Sequence, residues 1–206
     1  IVIDMYSPYI SLIKKMFPNA NIIIDKFHSV NLISNSLNKT RIKIMKYDRK
    51  NYNKLKRYWH LLLKSQDELD GTKWKRWWCF DNLMTQSDVV SYLININSQL
   101  KTTYEIYQSL LYALKHNNYK ELEITLNAKY DNISDYMKTS IKTLKEYLPY
   151  IKNTLNNTYH NDYVEGNNNF IIVLKRIAFG FKSFHRFKAR IMICKNLLYM
   201  KKASAN

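Results

Sequence analysis

Two short apolar runs stand out near the start of the chain, and each ends on a carboxylate: Ile1-Val2-Ile3-Asp4 and Ile22-Ile23-Ile24-Asp25. Short continuous apolar runs with polar boundaries fit fully buried strands. Between them, Ser7-Pro8 reads as an N-cap followed by proline in the first helical turn. Ile10, Ile13 and Phe17 follow at helical spacing, with Leu12 and Met16 alongside, and Phe17-Pro18-Asn19 ends that helix. A second, longer helix is predicted from about Ser29 toward Lys46. Strand–helix–strand–helix in this order predicts two parallel strands joined by a right-handed crossover. Asp4 and Asp25 then lie just outside the carboxyl ends of neighbouring strands, the edge at which open α/β sheets bind ligands. Two parallel strands need further strands and cover on both faces, so the sheet is expected to continue upstream of residue 1.

From about Asp48 to Tyr159 the pattern changes. Charged, aromatic and aliphatic residues mix at helical spacing, which predicts an all-helical stretch with breaks near Gly71 and Pro149. Trp74, Trp77 and Trp78 stand at i, i+3 and i+4 and are assigned to one helix face, read as core in preference to a base-stacking platform. Leu110, Leu111 and Leu114 repeat the spacing. The last part opens with the polar, turn-prone run Asn161 to Asn169, which carries Glu165. A helix is expected through Ile171, Ile172, Leu174 and Ile177, interrupted at Gly180. Phe181, Phe184 and Phe187 continue beyond it, interleaved with Lys175, Arg176, Lys182, Arg186, Lys188 and Arg190. Such a helix suits packing on a core with its basic face against phosphates, and a merely solvated basic face fits equally well. The organisation expected is therefore 1–47, a small α/β part; 48–159, an all-helical insertion; and 160–206, a C-terminal helical part.

Composition sharpens this picture. Only three Gly and three Pro in 206 residues, with 46% hydrophobic content, disfavour a turn-rich all-β fold and allow a sizeable core. Lys and Arg total 33 against 16 Asp and Glu, a net charge of +17, which draws polyanions, nucleic acid first among them. Part of the lysine content fits the codon bias of an AT-rich genome, but the scarcity of acids does not. Cys79 and Cys194 are far apart and outside any CxxC spacing, so neither a disulfide framework nor a zinc site is indicated. Without an apolar run of membrane-spanning length or a signal peptide, a cytoplasmic, nucleoid-associated location is expected.

The acids suggest a chemistry. Phosphoryl transfer on DNA commonly uses two divalent ions roughly 4 Å apart, and hard ions such as magnesium or manganese prefer carboxylate oxygens. Asp4 is the leading candidate ligand, because Ser7-Pro8 starts the next helix without it. Asp25 is either a ligand or, like Ser29, a cap for the helix that follows. His28 completes an Asp-x-x-His unit, which could orient a nucleic-acid strand or support a metal site by hydrogen-bonding to a ligand, and a structural histidine fits equally well.

Three blocks carry a resemblance to a known family. They are Ile3-Asp4-Met5 with Ser7-Pro8-Tyr9-Ile10; Phe17-Pro18-Asn19-Ala20 leading into Ile24-Asp25-Lys26-Phe27-His28; and Glu165-Gly166, Asn168-Asn169, Lys175-Arg176, Ala178, Gly180-Phe181, Phe184, Phe187 and Arg190-Ile191. In this order the chain resembles the DDE transposases of the ISL-three insertion-sequence family over essentially its whole length. The resemblance implies a partial RNase H-like core interrupted by helices, with Asp4 as the second catalytic acid and Glu165 as the third, both ligands of a two-ion magnesium or manganese site. It also implies that Asp25 and His28 form the motif after the second acid, that transposon ends and target DNA are the substrates, and that the active complex is a homo-oligomer. The first acid, on the first strand of the sheet, would lie outside this chain, as would the zinc-binding and helix-turn-helix regions. On that reading the chain is a C-terminal part of the catalytic domain, inactive alone. The alternative is a non-catalytic DNA-binding or interaction module, a truncated remnant able to dimerise with intact transposase. One departure is visible: Phe170 and Ile172 stand where the family has lysines after the paired asparagines.

Overall fold

A computed structural model of the chain describes residues 1–157 and 162–195, apart from the side chains of 162–165. The chain divides into two compact units, Ile1–Tyr159 and His160–Asn206.

The first unit opens as the pattern predicts. β1 (Val2–Ile3) pairs in parallel with β2 (Ile23–Ile24), with Val2 opposite Ile23 and Ile3 opposite Ile24. The crossover is α1 (Ser7–Met16), whose N-cap is Tyr6, so Ser7 and Pro8 are its first two helical residues. Proline is tolerated there because those N–H groups have no intrahelical partner. Helix α1 buries Ile13 and leaves Tyr9, Leu12, Met16 and Phe17 exposed. α2 (Lys26–Tyr47) starts three residues earlier than expected, because Asp25 is the cap: its carboxylate accepts the Phe27 N–H at 2.9 Å. Ser29 is already inside the helix and buried.

The two strands are closed on one side by a helix. Ile23 and Asp25 donate their N–H groups to Ile1 and Ile3, so alternation turns the backbone of Ile24 away from β1. There Thr154 Oγ1 accepts the Ile24 N–H at 3.0 Å and donates to the Ile24 carbonyl at 2.7 Å, while Asn153 Nδ2 donates to the Ile22 carbonyl at 2.9 Å. Both side chains come from α9 (Leu148–Asn156). Side-chain hydrogen bonds thus stand in for a neighbouring strand, and β2 ends the sheet.

Between α2 and α9 run α3 (Tyr52–Arg57), α4 (Trp59–Leu63), α5 (Gln86–Ile94), α6 (Ser98–Lys115), α7 (Tyr119–Asn127) and α8 (Asp135–Glu146). Each of the last four has a polar N-cap that satisfies otherwise orphaned N–H groups: Thr85 with Asp88 in a capping box, Asn97, Asn118 and Ser134. The core is centred on α6, which buries Leu100, Tyr104, Tyr107, Leu110, Leu111 and Leu114, so the leucine spacing read from sequence is a true core face. Helix α2 enters the same core through Ile33 and Leu37, and Ile24 of β2 joins them. The α/β opening and the helices to residue 157 therefore share one interior. Pro149 falls in the first turn of α9, where α8 stops at the shared residue Tyr147.

Helix is not what forms around the tryptophans. Lys75–Arg76 (β3) and Leu83–Met84 (β4) make an antiparallel hairpin, with Lys75 opposite Met84 and Arg76 opposite Leu83. Only Trp77 is buried, and its indole N–H donates to the Met84 carbonyl at 2.8 Å, whereas Trp74 and Trp78 are exposed. The expected shared helix face does not exist. Turn signals on both sides, Asp70-Gly71-Thr72 and Asp81-Asn82, outweigh a coincidental i, i+3, i+4 spacing.

In the second unit, α10 (Asp162–Ile177) takes in most of the segment expected to be a polar turn. It ends where Gly180 was expected to interrupt. Phe179 has φ 51° and Gly180 φ 96°, and their N–H groups donate to the carbonyls of Arg176 and Lys175, the pattern of a Schellman end. α11 (Phe184–Cys194) follows. Phe181 packs on Phe187 with ring centroids 4.6 Å apart, while Phe184 is exposed, so the three phenylalanines do not form one stripe.

Candidate functional site

Asp4 follows β1 directly and is not used as a cap, since α1 starts from Tyr6 with no side-chain cap bond. Its carboxylate instead meets α2. His28, in the first turn of that helix, places Nε2 2.9 Å from Asp4 Oδ1. The parallel pairing that aligns Ile3 with Ile24 brings strand end and helix start together, so a contact across 24 positions of sequence follows from register. The pair is half-exposed, with side chains 52% and 33% accessible for Asp4 and His28. As a hydrogen bond it needs a proton on Nε2. The Phe27 ring stands edge-on to His28 at 5.5 Å.

Asp25 and His28 are not bonded to each other: Asp25 caps α2 by accepting the Phe27 N–H through one oxygen, and His28 meets the Asp4 carboxylate. Next to them Lys26 donates to Asn117 Oδ1 at 2.8 Å, and burial holds its ammonium pKa below the ordinary lysine value.

Asp4 fits a magnesium or manganese ligand in kind. It is a hard oxygen donor at a strand end, with its orientation held by a histidine N–H. Among the described residues no cluster of three acidic, histidine or cysteine side chains surrounds it. The Glu165 backbone lies in α10, and its side chain is outside the described residues.

Comparison with known proteins decides the family. A family model described as a transposase, the DDE type of the ISL-three group, matches residues 1–191. The chain belongs to the ISL-three family of transposases. A curated protein of Lactococcus lactis subsp. lactis named "ATP-dependent protease" is 41% identical over 110 residues, which are 53% of this chain and 35% of that protein. The chain thus spans about a third of the relative's length. No solved structure matches significantly.

The six basic residues expected to meet DNA lie in the second unit of this transposase chain. Lys175 and Arg176 close α10, Lys182 lies in the connection, and Arg186, Lys188 and Arg190 are on α11; all six are exposed. Phe170, one of the two departures from the family's lysines, lies under Lys195, whose Nζ is 4.6 Å from the ring centroid. No helix among the described residues is long and apolar enough to cross a membrane.

Proposed function

We propose that this chain is the C-terminal part of a DDE transposase catalytic domain, which cuts DNA and transfers strands with divalent metal. The observation that carries the reading is the Asp4–His28 contact at the carboxyl edge of the β1–β2 pair, within a chain matched to the transposase family from 1 to 191. In this reading the two parallel strands are the last part of an RNase H-like sheet. Its support is the helix-closed edge of β2, which leaves only the β1 side for further strands. The active complex is a homo-oligomer acting on transposon ends and target DNA.

Asp4 and Glu165 are assigned as metal ligands, with a further acid supplied from outside these residues. The ions, when bound, activate the attacking oxygen and stabilise the leaving one. His28 is a positioning residue. By donating to Oδ1 it fixes the Asp4 carboxylate and leaves the second oxygen to bind an ion. The exposed bases of α10 and α11 bind phosphates and so hold the strand. Losing one carboxylate disrupts the geometry that two-ion chemistry requires, so the chain alone is inactive.

Magnesium- or manganese-dependent nicking of supercoiled plasmid tests the reading. The chain is compared with a version extended upstream to include a strand ending in aspartate. Activity is expected only in the extended protein and should be abolished by Asp4→Asn or Glu165→Ala. His28→Ala should lower it about 10- to 100-fold, and the metal concentration for half-maximal rate should rise. A fully active Glu165→Ala or Asp4→Asn protein would refute the assignment. No nicking by any version, together with salt-dependent DNA binding, would favour the alternative of a non-catalytic DNA-binding remnant.

A further inference from the structure

The β3–β4 hairpin presents large aromatic area to solvent within a cationic rim. Trp74 and Trp78 are 65% and 76% exposed, whereas Trp77 between them is held inside by its N–H bond to Met84 and by edge-on packing on Tyr58 at 5.2 Å. The hairpin is therefore anchored at its middle tryptophan, and the outer two are not required for its fold. Cations already use these rings. The Arg57 guanidinium lies 4.5 Å from the Trp78 centroid, and Lys75 Nζ lies 4.1 Å from that of Trp77. Between the hairpin and α5 is a cavity of about 620 Å³, within the roughly 300–1,000 Å³ typical of small-molecule sites. Trp74 gives it an open flat wall, Asn82 and Ser91 give it hydrogen-bonding groups, and Asp81 and Asp88 also line it. Lys54 donates to Tyr92 Oη at 2.8 Å and lies over the Phe80 and Tyr92 rings, 5.0 and 4.3 Å from their centroids.

We propose that this hairpin and its cavity form a stacking site for an unpaired DNA base. The inference rests on the reading of the chain as DNA-binding and adds a distinct site to it. Flat aromatic faces accept any base, and the surrounding Lys73, Lys75, Arg76 and Arg57 meet the adjoining phosphates. Of the nearby acids, Asp70 accepts the N–H groups of Thr72 and Lys73, Asp88 is held in its capping box with Thr85, and Asp81 is exposed at the cavity wall. These three negative charges are outnumbered by Lys54, Arg57, Lys73, Lys75 and Arg76. A second copy of the chain is a poorer occupant, since it would bring two like-charged rims together.

The test uses fluorescence anisotropy with three labelled DNAs: a perfect duplex, the same duplex with one bulged thymine, and that duplex with the bulged nucleotide made abasic. The chain should bind the bulged duplex roughly 5- to 100-fold more tightly than the abasic one. Trp74→Ala should abolish the preference, Trp74→Phe should keep most of it, and Trp78→Ala should weaken it. Affinity for the perfect duplex should stay within about twofold, and the near-ultraviolet circular dichroism of the buried Trp77 reports an intact hairpin in each variant. Equal affinity of the wild-type chain for bulged and abasic DNA would overturn this inference and leave the DNA-binding reading standing. Failure to bind any of the three would overturn both. A dimer, seen by sedimentation equilibrium, that Trp74→Ala dissolves while DNA binding is unchanged would give the patch to a second copy.

Discussion

Replacing Thr154 by valine isolates the unusual closure of the sheet. Valine keeps the shape and removes one hydroxyl, and that hydroxyl serves both backbone groups of Ile24, at 3.0 and 2.7 Å. Ile24 is fully buried and Thr154 is 8% exposed, so water cannot replace the lost partner without opening the contact between α9 and β2. Each buried backbone group left unpaired costs about 1–3 kcal/mol, and valine recovers part of this because its own methyl needs no hydrogen bond. A net loss of about 2–3 kcal/mol is expected. For a domain of this size that is roughly 5–10 °C in Tm. Thermal and urea unfolding measure it, with Thr139→Val as control: Thr139 is exposed and bonds only the Asp135 carbonyl of its own helix, so its change should stay within about 0.5 kcal/mol. Hydrogen exchange adds a local reading, because the Ile24 amide should lose protection in Thr154→Val while Ile23 and Asp25, bonded to β1, keep theirs. If Thr154→Val were as stable as wild type, or Ile24 stayed protected, the helix would not be replacing a strand.

Asp70 sits at the entrance to the hairpin and accepts the N–H groups of Thr72 and Lys73 and the Thr72 hydroxyl, which lower its carboxyl pKa to about 2. Because the folded value lies below the unfolded one, its contribution to stability is complete above about pH 4 and is lost as pH falls toward 2. Carboxyl NMR titration should show this, and Asp70→Asn should remove that part of the acid dependence; a midpoint near 4 would refute it. On α11, Arg186→Ala and Arg190→Ala should each reduce the slope of log affinity for duplex DNA against log salt by about one, if each meets a phosphate. An unchanged slope would assign these arginines to a solvated face.

Much of the first 50 residues was legible in the sequence. Short apolar runs, proline in the first helical turn and the spacing of Ile10 and Ile13 are local signals that local sterics decide; the N-cap itself fell on Tyr6, without a side-chain bond, and not on Ser7. The ISL-three blocks were legible for the same reason, since they are fixed residue types in a fixed order, and the family model covers them. The tryptophan segment was misread because i, i+3, i+4 spacing is necessary for a helix face but not sufficient. Asp70, Gly71 and the Asp81-Asn82 pair carried the contrary turn signal.

Tertiary structure decided what depends on partners distant in the chain. Periodicity could name His28 and Asp4 but not join them; strand register did that, and a shift of one residue would separate them. Nothing near Thr154 or Asn153 marks them as substitutes for a strand, because the carbonyls and amide they satisfy are about 130 residues away. The sequence by itself determined the two opening strands and most of the helices, the basic charge and the family. The assembled chain decided which polar groups meet, because hydrogen bonds are satisfied by whatever packing brings within about 3 Å, at any separation in sequence.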